Sequence, residues 1–407
     1  MEFRYQTPGV YREEVILKSA PQLQTGVPGF VGFVNSDKAD RFTGPILLNR
    51  NNEFEARFEG HLPDGGYLAD AVHGFFSNGG ARCYVAIAGF HRGENAAALN
   101  EEALVKALGS LSSLTDLDLI AAPDAMMLLP NDETFEAVKR VQIAMLKHCQ
   151  EHGNRFAILD AVPKGVNDVI EQRNHVTKGM REPVNGALYY PWLVLPEQQP
   201  VSRSLRNTNR RMIPPSGHIA GIFGRTDARV GVFKAPANEE IIGPQDLCVR
   251  ESKVFVASNI TRQVQDQLNP AGINCLRFFP GRGIRVWGAR ALNSDQAWRY
   301  ITVCRLVITL RRWIDINMAW ATFEPNSPQL WVRIHRELTV YLTDLWRAGA
   351  LVGLTADEAF QIKCDSETNT QQVIEGGHVV TDIALAPVAP AEFVIVRVVH
   401  QIGVEPR

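Results

Sequence analysis

Between Asp116 and Leu195 short apolar runs alternate with helical stretches, and no other feature of the chain constrains its fold as tightly. Leu117 to Ala122, Arg155 to Ala161 and Ala187 to Leu195 have the length and composition of buried strands. The segment Asp132 to His152, closed by Gly153, reads as a helix between the first two. A second helical stretch, around Val166 to Asn174, precedes the third. Strands joined by helices of this length lie parallel, with right-handed crossovers. The middle of the chain is therefore expected to be α/β.

The regions before it are less regular. Thr7-Pro8-Gly9-Val10-Tyr11 followed by Arg12-Glu13-Glu14-Val15 joins a turn to alternating apolar and polar residues, too short to fold alone, and reads as an extended arm. Thr25 to Val34 is β-rich, and its prolines and glycines suit an edge or a sharply bent strand. Leu62 to Asn78 is expected to be helical, with Tyr67, Ala71, Phe75 and Phe76 on one face and Gly79-Gly80 as its stop. Cys83 to Ala88 follows as a strand.

In the last third, Phe278-Phe279-Pro280-Gly281-Arg282-Gly283 is a turn into the strand Ile284 to Ala289. Asn293 and Gln296 have the spacing of a capping box before a helix that buries Ala297, Tyr300, Ile301, Cys304 and Ile308. Ser327 and Pro328 open a second helix, burying Leu330, Ile334, Leu338, Tyr341 and Leu345 and stopped by Gly349. Thr355 and Glu358 suggest a short third helix. Strands at Phe360 to Cys364, Val379 to Leu385 and Phe393 to His400 complete a compact α+β unit.

Composition excludes several function classes. A length of 407 residues suits two or three domains, and 45% hydrophobic with 21% charged residues is ordinary for a globular chain. Lys plus Arg total 42 against 44 Asp plus Glu, so the basic surplus of a counterion-releasing nucleic-acid binder is missing. Met1 to Val15 has no apolar stretch of signal-peptide length, and the apolar runs Ile301 to Leu310 and Phe393 to Val399 are broken by Arg305 and Arg397. Neither secretion nor membrane insertion is expected. The cysteines Cys83, Cys149, Cys248, Cys275, Cys304 and Cys364 are at least 27 residues apart, which fits buried thiols rather than a zinc pair or a disulfide framework.

Catalytic templates find little purchase. There is no GxSxG elbow, HExxH or Walker A loop, and Gly281 to Gly288 lacks GxGxxG spacing. Asp124 and Asp160 fall at the carboxyl ends of two expected parallel strands, where open α/β sheets place ligands, and are the best enzymatic candidates; the alternative is that both cap loops or helix starts. His73 is either a base or a helix-surface histidine. Asn259-Ile260-Thr261 matches a glycosylation sequon without a secretory context. Arg203, Arg206, Arg210 and Arg211 make a basic loop without interleaved aromatics, a solvated or protein-facing feature rather than a nucleic-acid site. Arg305, Arg311 and Arg312 form a second basic set, for salt bridges or for a charged rail facing a partner.

Five blocks in order resemble the contractile tail sheath family of phages and phage-like contractile injection systems. They are Thr7 to Val15; Thr25 to Phe33; Pro214 to Gly221 with Arg225-Thr226-Asp227 and Lys234 to Asn238; Phe279 to Arg290; and Cys364-Asp365 through Thr368-Asn369 to Pro390-Ala391-Glu392-Phe393-Val394. The resemblance implies a subtilisin-like parallel α/β middle domain followed by a compact α+β C-terminal sheath domain, with extended terminal arms. The division is an arm at 1–20, the α/β domain at 21–271 with a variable outer portion near 37–60, and the C-terminal domain at 272–407. No subtilisin catalytic motif is present, and the family implies a structural polymer without catalytic residues, cofactor or metal.

The resemblance further implies a homo-oligomer of stacked hexameric rings around an inner tube protein, with baseplate and terminal cap proteins as further partners. Neither nucleic acid nor a membrane is expected as a partner. Assembly in the cytoplasm follows, as part of a phage tail or of a tail-like particle that is either retained or released. Strand exchange between copies would fall to Val10, Tyr11, Val15 and Ile16 in the first arm, and to Phe393, Val394, Ile395, Val396, Arg397 and Val398 in the last strand. Arg305 and Arg312 are the candidate inner-tube contacts. Two other classes stay beside this reading: an α/β hydrolase or transferase using Asp124 or Asp160, and a tube or shell protein of another assembly.

Overall fold

The computed structural model describes residues 23–35, 44–58, 66–91, 100–131, 135–196, 211–251, 254–258 and 260–393. Its strands are β1 (Pro28–Asn35), β2 (Ile46–Leu48), β3 (Cys83–His91), β4 (Leu119–Ala121), β5 (Phe156–Asp160), β6 (Gly186–Tyr190) and β7 (Trp192–Val194). They continue as β8 (Met212–Ile213), β9 (Asp246–Glu251), β10 (Val254–Ala257), β11 (Ile273–Phe279), β12 (Gly283–Trp287), β13 (Phe360–Lys363) and β14 (Asp382–Leu385). The helices are α1 (Asn52–Arg57), α2 (Leu68–Ser77), α3 (Glu101–Ser110), α4 (Glu136–His152), α5 (Val166–Thr177) and α6 (Ser216–Arg229). After them come α7 (Arg262–Leu268), α8 (Ile301–Asn317), α9 (Pro328–Arg347), α10 (Ala356–Ala359) and α11 (Gln371–Glu375).

Eight strands make one sheet in the order β12-β11-β6-β5-β4-β1-β3-β2. From β11 to β3 every pairing is parallel, while β12 and β2 close the two edges antiparallel. Alternate residues of each strand feed two cores. Ala157, Leu159 and Leu188 pack with Leu104, Val141 and Val169 of α3, α4 and α5. Phe156, Ile158 and Ala187 pack with Val72, Phe75, Ile219 and Phe223 of α2 and α6 on the opposite face. Coverage of both faces explains why these strands read as continuous apolar runs.

The first β-rich segment departs from its expected edge position. β1 is interior, parallel to both β3 and β4. Pro28 is tolerated because it opens the strand. Gly29 and Gly32 answer to crowding rather than to exposure: a Cβ would stand 2.7 Å from Leu117 Cδ1 at the first and 2.5 Å from Asp124 Oδ2 at the second. The apolar run Ala187 to Leu195 is divided by Pro191, which has no N–H for a ladder. Its halves are β6, in the large sheet, and β7, in a second antiparallel sheet of order β10-β9-β7-β8.

Other expectations are met or shifted by local detail. Gly153, at φ +68°, ends α4 as read. The helix read over Leu62 to Asn78 is observed as Leu68–Ser77, with residues 62–65 outside the described set. The Asn293–Gln296 capping box does not form: Asn293 Oδ1 accepts the Val184 N–H at 2.6 Å, and α8 begins only at Ile301. Ala297, expected in its buried face, is exposed. Strands β11 and β12 fall within the 272–407 portion of the sequence division yet complete the large sheet. Within the outer portion near 37–60, residues 44–58 supply β2 and α1, which bury Leu48, Phe54 and Phe58.

α8 belongs to two cores at once. Ile301, Cys304 and Ile308 meet the α/β body, and Leu306 and Leu310 meet a separate cluster built from Leu342 of α9, Ala350, Leu351, Ala359 and Phe360. That second cluster carries β13 and β14, the small C-terminal sheet.

Candidate assembly surfaces

β13 and β14 pair antiparallel over only four residues each, from Phe360↔Leu385 to Lys363↔Asp382. Phe360, Ile362, Ile383 and Leu385 turn toward α8 and α9, whereas Gln361, Lys363, Asp382 and Ala384 are exposed. The return between the strands is fixed by side chains. Asp365 accepts the N–H groups of Glu367 and Thr368, and Asn369 donates to Val380 O at 3.0 Å while accepting the Val380 N–H at 2.7 Å. Among the described residues the ribbon has no third strand. A two-stranded ribbon is marginal by itself, and its outer edges present unpaired backbone groups.

The described segments nearest the two termini are held by charged side chains. Arg290 donates from Nε and Nη2 to Glu392, and from Nη1 to Asn269 O at 2.9 Å; the ion pair is mostly buried, which fixes the chain just before Phe393. Hydrogen bonding to Glu392 raises the Arg290 pKa further. Phe393 itself is 75% exposed. At the other end, Asp118 accepts the Gly26 and Val27 N–H groups at 3.0 and 2.7 Å.

Arg305 and Arg312 are not surface charges. Each is 2% exposed. Arg305 forks onto Asp227 Oδ1 at 2.6 Å and Oδ2 at 2.5 Å and reaches Asp118 Oδ2 at 2.9 Å. Burial opposes its charge, but the facing Asp227 and Asp118 more than offset this, so its pKa is raised. Arg312 donates to Gln24 O and Asp116 O. Reading these two residues as inner-tube contacts is therefore corrected: their guanidinium groups are used inside the subunit. Arg311, exposed, donates to Gly153 O.

Asp124 and Asp160, the enzymatic candidates, are both held by backbone N–H groups. Asp124 is fully buried and accepts N–H groups from Phe33 at 2.7 Å, Tyr67 at 2.5 Å and Leu68 at 3.0 Å. Burial pushes its pKa up to about 6 against those three donors. Asp160 accepts the Ser216 N–H at 2.8 Å, and burial raises its pKa to about 7. His73 lies on the surface of α2, with Nδ1 3.0 Å from Asn51 Nδ2. All six cysteines are buried and unpaired.

Of the expected exchange residues, Val10, Tyr11, Val15 and Ile16 lie outside the described residues, as do Val394, Ile395, Val396, Arg397 and Val398. Arg203, Arg206 and Arg210 do too, whereas Arg211 bonds Asp70 and Gly66 O. Sequence reasoning missed Asp118, Asp227, Arg290 and Glu392 as structural partners. Three of the four sit in blocks already singled out, but the pairs span 102 and 187 residues, and nothing local joins them.

Comparison with known proteins agrees with this architecture. The phage tail sheath protein central domain matches residues 108–292, and the phage tail sheath C-terminal domain matches 293–401. A putative prophage major tail sheath protein of Pseudomonas aeruginosa (strain UCBPP-PA14) is 28% identical over 182 residues, which is 45% of this chain and 44% of that relative's length. The helical sheath of the anti-feeding prophage in its contracted state is 29% identical, covers 98% of this chain and 100% of its own, and superposes with a TM-score of 0.73. The contracted sheath of an extracellular contractile injection system, PVC, is 26% identical with a TM-score of 0.69, covering 98% and 99%. With consecutive sheath domains matched from 108 to 401 and the same fold along nearly its whole length, this chain belongs to the phage tail sheath family.

Proposed function

We propose that this chain is the subunit of a contractile sheath in a phage tail or an extracellular contractile injection particle. Its likeness to a contracted helical sheath over 98% of its length is the observation that carries this reading. Copies stack as hexameric rings around an inner tube, between a baseplate and a terminal cap, and contraction drives the tube through a target envelope. Assembly takes place in the cytoplasm, and the particle is then retained or released. Among the described residues no helix is long and apolar enough to cross a membrane.

Residues 1–20 and the strand from Phe393 onward act as exchanged arms, each adding a strand to a neighbour's β13–β14 ribbon. The shortness of that ribbon and its open outer edges support this assignment. Backbone ladders then keep copies linked while their bodies move, and contraction draws on a difference in packing between two sheath states, without nucleotide.

The body is further read as subtilisin-like but not catalytic, in line with a structural polymer. Supporting the first part are the parallel sheet and its helices on both faces. Supporting the second, Asp124 and Asp160 are engaged by backbone N–H groups, and His218 is buried where a Cβ on Gly74 would lie 2.3 Å from its Nδ1.

Deleting Met1 to Lys18 tests the proposal. The expected product is a folded monomer that makes no tubes in negative-stain images. Long tubes from the truncated chain would overturn the exchange of the first arm.

A further inference from the structure

Residues 24–27 are gripped from several directions at the point where the first arm meets the body. Asp118 accepts the N–H groups of Gly26 and Val27, and Val27 O in turn accepts from Asp118 N and Leu119 N at 3.1 and 3.2 Å. Arg312 Nη1 donates to Gln24 O at 2.9 Å. Gly26, at φ +72°, is pressed so closely onto α6 that a Cβ would stand 2.5 Å from Gly224 Cα. Behind this contact Arg305 ties Asp118, just ahead of β4, to Asp227 of α6. Arg305 and Arg312 both project from α8, whose Leu306 and Leu310 enter the core that supports β13 and β14.

We propose that Arg305, with Arg312, is the load-transferring anchor of the amino-terminal arm, coupling residues 24–27 through α8 to the subunit's own β13–β14 ribbon. The inference rests on the reading of residues 1–20 as an exchanged arm. β1 starts at Pro28, so an unanchored pull would load the first bonds of that strand one after another and peel it from the sheet. With the root clamped, the bonds to Asp118 and Arg312 are loaded together, and the pull passes to α6, β4 and α8. A fork shared by two carboxylates suits this task, because a buried carboxylate deprived of its cation is strongly unfavourable and the cluster opens only as a unit. Arg305 is a positioning residue: it acts on residues 24–27 through Asp118, the carboxylate that accepts the Gly26 and Val27 N–H groups.

Single-molecule pulling on the full-length monomer tests the anchor. Handles are attached through Gln6→Cys and Lys147→Cys to load the arm, or through Lys147→Cys and the exposed Asp266→Cys of α7 to load the α/β body alone, without passing through α8; the native thiols are buried. In Arg312→Met and in Arg305→Lys, which keeps the charge but loses the fork, the lifetime of the first opening under arm loading is expected to shorten by about tenfold or more. Under body loading it should change by less than about twofold, a split that a general loss of stability would not give. Arg312→Lys should recover part of the lifetime. Equal arm-loaded lifetimes in variant and parent, or equal weakening in both geometries, would overturn the anchor. Should Arg305→Lys fail to fold, Arg312→Met decides alone. Because monomers are measured, tubes that survive loss of Met1 to Lys18 would remove the exchange reading without altering this result.

Discussion

Arg290 holds Glu392 with two guanidinium nitrogens across 102 residues of sequence, one residue before the exposed Phe393. The pair ties Arg290, at the end of the block that follows β12, to the segment just ahead of Phe393, and so fixes where the described chain ends against the body.

Arg290→Met and Glu392→Gln should each lower stability by about 1.5–3 kcal/mol, the range for hydrogen bonds to charged groups. Urea unfolding of both single variants and the double variant checks this. If the pair acts as a unit, the double variant loses much less than the sum of the singles.

The crossing of α2 and α6 leaves no room for a methyl group. A Cβ on Gly217 would stand 2.3 Å from Ala71 Cα, and one on Gly221 would stand 2.4 Å from Phe75 O. Both obstacles are backbone, which cannot rotate away. Gly217→Ala is expected to cost about 1–3 kcal/mol or more by forcing the helices apart, read from denaturant midpoints.

Two buried groups give opposite pH dependences. The pKa of Asp160 rises from 3.8 to about 7, so the folded state keeps a proton that the unfolded chain has released. Its contribution is full below about pH 4 and is lost as pH rises toward about 7. His218 is lowered from 6.5 to about 3 by burial, then by the nearby charge of His73, so its contribution is full above about pH 6.5 and is lost as pH falls toward about 3. Stability curves of Asp160→Asn and His218→Leu, each subtracted from the parent, should slope in opposite directions across these windows.

The six buried thiols give an inexpensive check on the packing. Burial raises the pKa of each of Cys83, Cys149, Cys248, Cys275 and Cys304, and a thiol kept protonated and covered is a poor nucleophile. Ellman's reagent should react with the native monomer only on the timescale of opening, and with six thiols after denaturation. Rapid labelling of the native protein would contradict the arrangement.

Much of the architecture is legible locally. Runs such as Phe156 to Asp160 announce themselves because both faces of the strand are covered, and the stop at Gly153 follows from one residue's freedom at positive φ. The long amphipathic helix α9 is also visible from spacing: Leu330, Ile334 and Leu338 are buried as read, Leu342 joins them, and Tyr341 and Leu345 pack partly buried against the core that Leu342 enters. What misleads is a residue type with two uses. The glycines of β1 suggest an edge, yet they make room for Leu117 and Asp124 in the interior. Arg305 and Arg312 suggest a surface rail, yet they face carboxylates and carbonyls inside.

By itself the sequence determines the alternation of strands and helices between Asp116 and Leu195, the parallel body this implies, the long helix α9 and the absence of familiar catalytic motifs, since these depend on neighbours a few residues apart. The tertiary structure decides which strand is central, which charges are buried and where each terminus is tied down. Those outcomes depend on partners 78 to 187 residues away, such as Asp227 and Asp118 on Arg305, which only the completed packing brings within hydrogen-bonding distance.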